Sequence, residues 1–139
     1  MHGKIGIEVF FGVLASLITL FISLINYHKT NDEFFKELFT EFNVRYNEMN
    51  DILDHIKGTE ILNDAQRTTI IDYLNLCAEE YMWVRKGRIP FHIWKSWMNG
   101  MRLHFEKPCI KEIVEKESRF WKSSYYGFLE TVFIQQIIR

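Results

Sequence analysis

The side chains best suited to recognition chemistry lie between Trp83 and Lys107. This stretch interleaves Arg85, Lys86, Arg88, Lys95, Arg102 and Lys107 with Trp83, Trp94 and Trp97, and adds His92 and His104. Cations hold phosphates and flat rings stack on bases, a combination suited to a nucleotide, a cyclic oligonucleotide or another anionic ligand. The same residues admit a structural account. The tryptophans could be core anchors, and the cations could pair with the acidic helices before them or with anionic lipid head groups. Duplex DNA is not an expected partner.

Reaction chemistry finds little support elsewhere. Glu79 and Glu80 are adjacent, so on a helix they point about 100° apart and do not converge on one substrate. Burial of one of them beside Arg85 or another cation is the better account. Ser123 and Ser124 lack a glycine-rich elbow, and His55 follows Asp51 and Asp54 on a solvated face. There is no glycine-rich phosphate loop, no HExxH pair and no Cys/His quartet. Cys77 and Cys109 lack CxxC spacing, which suits structural thiols in a reducing compartment. The chain is therefore expected to be no enzyme and to need neither metal nor cofactor.

The elements that would position these residues begin with an anchor. Val9 to Ile25 contains no charged residue, and a run of about 17 such residues is close to what a helix needs to cross a bilayer. About 12 large apolar residues contribute roughly −4 to −7 kcal/mol to insertion, enough to absorb Ser16, Thr19 and Ser23. No small-x-small cleavage site follows, so the segment is expected to be retained. Only Lys4 and the amino terminus precede it, whereas Lys29, Lys36 and Arg45 follow. The excess of positive charge then places the C-terminal part in the cytoplasm.

The span is also patterned. At about 100° per residue, Glu8, Gly12, Ala15, Ser16, Thr19, Ser23 and Asn26 share an arc of roughly 100°, and the large apolar residues fill the remainder. Small and hydroxyl-bearing residues on one face let membrane helices approach and bond to one another. A homo-oligomer is the consequence, either a sealed bundle or a pore with Glu8 at its outer mouth. The alternative is that the hydroxyls bond to their own backbone and face lipid.

Beyond residue 30 the pattern is helical throughout. Phe35, Leu38, Phe39, Phe42, Tyr46, Met49, Ile52, Leu53 and Ile56 recur at three- and four-residue steps before Gly58. Asn63 with Gln66 makes a capping box for a helix reaching Lys86, with Ile70, Ile71, Leu74, Cys77, Ala78, Tyr81 and Val84 inward. Pro90 opens a helix bearing Phe91, Ile93, Trp94, Trp97 and Met101. Pro108 opens another, bearing Ile110, Ile113 and Val114. A last helix is expected from Tyr125 to Ile138. The fold class is all-α: a transmembrane helix within residues 1–30, then a four- or five-helix cytosolic domain over 31–139. Because the apolar face near Phe42 and Leu53 falls almost opposite the polar arc, a bend is expected between Asn26 and Asn31.

Phe42-Asn43-Val44-Arg45-Tyr46, the Asn75–Tyr81 segment, Lys86-Gly87-Arg88-Ile89, Trp94 with Trp97, and Gly100-Met101 resemble a group of small bacterial membrane proteins with one N-terminal span. That resemblance implies a bacterial inner-membrane protein and carries over no catalytic residue. On architecture, the chain also resembles CRISPR-associated membrane effectors of antiviral defence, which implies a cytosolic part that binds a cyclic oligonucleotide and spans that disturb the bilayer.

Overall fold

The computed structural model of the chain describes residues 2–130, and within them every regular element is helical. Four α-helices follow one another: α1 His2–His55, α2 Asp64–Arg85, α3 Phe91–Phe105 and α4 Pro108–Phe120, with a single 3₁₀ turn at Lys122–Tyr125. The chain divides into two compact units, one up to Glu37 and one from Leu38 onward. Val132, Phe133, Ile137 and Ile138 of the expected last helix lie outside the described residues.

Helix α1 corrects one expectation. The bend expected at Asn26 to Asn31 does not interrupt the helix, which continues unbroken from the apolar run into the segment bearing Phe42 and Leu53. The cause is local. No glycine or proline occurs between Gly12 and Gly58, so nothing removes a backbone donor or loosens the dihedrals over that length. The phase of an apolar face does not stop a helix.

In the first unit, this helix is long and apolar enough to cross a membrane, and none of its apolar window is buried. The large side chains from Val9 to Ile25 are 41–64 % exposed. A helix in the core of a soluble domain would be covered.

The second unit is built where sequence chemistry places its turns. Asn63 accepts from the Gln66 amide at 2.8 Å while the Gln66 side chain accepts from the Asn63 amide at 2.9 Å, closing the capping box of α2. Gly87 ends that helix with φ +69°. Pro90 directly precedes α3, and Pro108 occupies the first turn of α4, where a missing amide hydrogen breaks no helical bond.

The end of α1 is completed by residues far along the chain. The Lys107 ammonium donates to the Leu53 carbonyl at 2.7 Å, and the Cys109 amide donates to the Gly58 carbonyl at 3.1 Å. Glu60 accepts from the amides of Lys57 and Gly58. Gly58 itself has φ +97°, and a Cβ there would sit 3.1 Å from Cδ of Pro108. Gly58→Ala is expected to lower stability by about 2 kcal/mol through left-handed strain and crowding. Thermal unfolding of the detergent-solubilised chain checks this, and an unchanged midpoint would contradict it.

The core lies between the C-terminal part of α1 and helices α2, α3 and α4. Phe42, Leu53, Ile56, Ile70, Leu74, Leu76, Phe105, Ile110, Val114, Phe128 and Leu129 are fully covered. Each such side chain contributes roughly 1.5–3 kcal/mol relative to exposure. Most expected inward residues are buried or half-buried, but Phe91 is 69 % exposed, a correction to the expected face of α3. As the first residue after Pro90 it precedes the turn that Trp94, Met101 and Phe105 bury.

Candidate functional site

The basic aromatic segment is separated by the fold. Trp94 is only 3 % exposed, with its ring against Tyr81 at 5.9 Å and Phe128 at 6.4 Å between centroids. Trp97 is half-buried, stacked on Phe39 at 5.8 Å and edge-on to Phe42 at 6.1 Å. His104 is buried as well. By contrast His92, Lys95 and Arg102 are exposed on α3, and at 100° per residue they fall on one stripe away from Trp94 and Met101. Rings and cations that alternate in the sequence thus leave α3 on different faces, and the two cannot grip one nucleotide together.

A smaller cationic group survives at the end of α2. Arg85 and Lys86 are exposed and, with Met82 and Tyr126, line a shallow depression. The Lys86 ammonium lies 4.5 Å from the Trp83 ring and the Arg85 guanidinium 5.9 Å from that of Tyr81. Arg88 is half-buried and is not part of this depression.

The residues of the polar arc are all exposed. Ser16, Thr19 and Ser23 donate to the carbonyls of Gly12, Ala15 and Thr19 at 2.8–2.9 Å. Their hydrogens are thereby satisfied within one helix, which lowers the cost of placing them in lipid. Each hydroxyl oxygen keeps acceptor capacity toward a neighbouring helix.

A second constellation escaped the sequence expectations. Phe42 and Tyr46 of α1, Tyr73 and Glu80 of α2, and Trp97, Gly100 and Met101 of α3 line a crevice of about 160 Å³, with Asn43 and Ser96 also on its walls. Glu80 is 6 % exposed. Burial pushes its carboxyl up to about 8, against the opposing pull of Arg45. Arg45 is committed elsewhere: its two terminal nitrogens donate to the Glu79 carboxylate at 2.6 and 3.0 Å, and that bonding raises its own proton affinity. The cation beside the adjacent acids is therefore Arg45 rather than Arg85, and it pairs with Glu79 while Glu80 is the acid that is buried.

His104 closes the group. Its Nε2 lies 3.2 Å from the Tyr46 hydroxyl, while Nδ1 is buried with no hydrogen-bond partner among the described residues. Burial holds its proton affinity below the ordinary imidazole value and so favours the neutral ring. The sequence did carry a signal for this site. Tyr73, Cys77, Glu80 and Val84 follow at steps of four, three and four, which puts an acid on the inward stripe of α2. Among the described residues no group of three or more His, Cys, Asp or Glu could hold a metal ion. Cys77 and Cys109 are free thiols, and burial pushes both above the ordinary thiol value, the fully covered Cys77 furthest.

No protein-family model, curated protein or solved structure matches the chain.

Proposed function

We propose that this chain is a non-enzymatic bacterial membrane effector, anchored in the cytoplasmic membrane by one span with its helical domain in the cytoplasm. The spans assemble into a homo-oligomer through Gly12, Ser16, Thr19 and Ser23, with Glu8 and Asn26 at the ends of that face. Assembly perturbs the bilayer when the domain binds its ligand, a cyclic oligonucleotide or a related anion, for which Arg85 and Lys86 beside Trp83 and Tyr126 are the best-grouped contacts. Antiviral defence is the role such a device would fill.

The observation that carries this reading is the bare surface of Val9 to Ile25. Large apolar side chains exposed around most of a helix call for lipid or another copy of the same helix. The segregation of small and hydroxyl residues onto one arc supplies the self-complementary face.

A second reading has its own support. Because the hydroxyls of Ser16, Thr19 and Ser23 bond to their own helix, the span is compatible with lipid on all sides. The chain would then be a constitutive anchored scaffold that docks a partner without gating.

One comparison separates the two. Wild type and the Thr19→Leu, Ser23→Leu double variant are purified in mild detergent and weighed by light scattering, with and without cyclic oligoadenylates. The effector reading expects an oligomer that the double variant weakens at least about tenfold, equivalent to 1.4 kcal/mol. It also expects membrane depolarisation in cells expressing wild type only. A monomer under every condition, or no depolarisation by either protein, favours the scaffold, and equal depolarisation by both would overturn assembly through the hydroxyl face.

A further inference from the structure

We propose that the crevice between α1, α2 and α3 is a binding site for a small organic cation of the quaternary-ammonium type, with Glu80 as counter-ion and the rings of Phe42, Tyr46, Tyr73 and Trp97 as walls. This site is separate from the Arg85 and Lys86 depression, and the inference does not rest on the membrane-effector reading.

The first support is the wall. Four aromatic rings line the same small volume in two pairs, Phe42 with Trp97 at 6.1 Å and Tyr46 with Tyr73 at 5.9 Å between centroids. Ring faces attract cations that carry methyl groups in place of hydrogen-bond donors, and the attraction strengthens where water is excluded. The second is the size. A volume of about 160 Å³ matches cavities that take up a benzene-sized guest, which is also the bulk of a tetramethylammonium head.

The third support is Glu80 itself. Glu80 lines the crevice at 6 % exposure, and its carboxyl makes no hydrogen bond or close ion pair among the described residues, Arg45 acting on it only through the field. Buried acids are ordinarily paired. The nearby guanidinium that could have served, Arg45, is held in the bidentate pair with Glu79. A cation entering the crevice would complete what the fold leaves open, and its binding would release the proton that Glu80 otherwise keeps.

Among the titratable groups around the crevice, Glu80 is the acid raised into the neutral range. On α1 these are Tyr46, pushed up by burial, and Arg45, pushed up mainly by its bond to Glu79; on α2 they are Tyr73 and Cys77, pushed well up by burial, and Glu79, paired with Arg45. On α3 it is His104, pushed down by burial. Affinity for a cation should therefore rise with pH as Glu80 ionises.

The test is calorimetric titration of the full-length chain in a non-ionic detergent with choline chloride and tetramethylammonium chloride. The neutral isostere 3,3-dimethyl-1-butanol and sodium chloride at matched ionic strength serve as controls. Saturable binding of the cations is expected, at least about tenfold tighter than that of the neutral isostere and tightening from pH 6 to pH 9. Glu80→Gln should abolish the preference for charge, and Trp97→Leu should weaken choline binding at least about threefold. Three results would overturn the proposal: no saturable binding of either cation up to about 50 mM, equal affinity for the neutral isostere, or unchanged choline affinity in Glu80→Gln. Circular dichroism of each variant verifies that the helices are retained.

Discussion

Glu80→Gln is expected to melt well above wild type at pH 9 and close to it at pH 5. In the folded chain the Glu80 carboxyl keeps its proton up to about 8, whereas the ordinary value is 4.5. Between those limits the folded state binds a proton that the unfolded state has released. Stability then falls as pH rises, by about 1.4 kcal/mol per pH unit for one proton. The contribution is intact below the unfolded value and is lost as pH climbs through the folded one. Over the whole window the loss is on the order of 5 kcal/mol. Glutamine has the same shape and no charge to bury, so it removes the loss at its source. Thermal unfolding in detergent at several pH values provides the check. Parallel pH profiles for wild type and variant would mean that Glu80 ionises freely in the fold.

Phe105→Ala should have an effect of similar size in the opposite direction, a loss of stability at every pH. Phe105 is fully buried, and its ring meets Tyr73 at 5.6 Å and Phe128 at 6.4 Å between centroids. It thereby joins α3 to α2 and to the segment after α4. Truncation removes the transfer free energy of the ring and leaves a cavity, together about 3–5 kcal/mol. Phe105→Leu keeps most of the volume and should cost about 1–1.5 kcal/mol. Leu103→Ala, two positions away at 70 % exposure, should change stability by less than about 0.5 kcal/mol. Chemical denaturation of the three variants distinguishes a core position from a merely apolar one. Equal effects at 103 and 105 would contradict the packing described here.

Features written in local chemistry could be read from the sequence. The Asn63 and Gln66 pair, the prolines at 90 and 108 and the glycines at 58 and 87 each act through their immediate neighbours, and each stands where its chemistry predicts. Features that depend on which way a side chain faces were harder. Trp94 and Lys95 are adjacent in the chain, yet one is sealed under Tyr81 and the other meets solvent. Counting cations and rings within a window of 25 residues gives them equal weight, whereas helix geometry divides them. Burial of one acid of the Glu79 and Glu80 pair is expected from the sequence, and the spacing of Glu80 from Tyr73 and Cys77 marks which of the two is inward. The continuity of α1 is not legible from the facing of its side chains, because the backbone decides it, and no glycine or proline lies between Gly12 and Gly58.

The way α1 ends has a consequence for the order of events during synthesis. Its last carbonyls and the turn at Gly58 are completed by Lys107 and Cys109, about 50 residues later in the chain. At roughly 5–20 residues per second, translation takes about 3–10 s to deliver those partners. The apolar run of α1 has by then long left the ribosome. The apolar run is therefore synthesised and exposed before the helical domain can close, and the nascent chain carries that bare surface for seconds before its own core is complete.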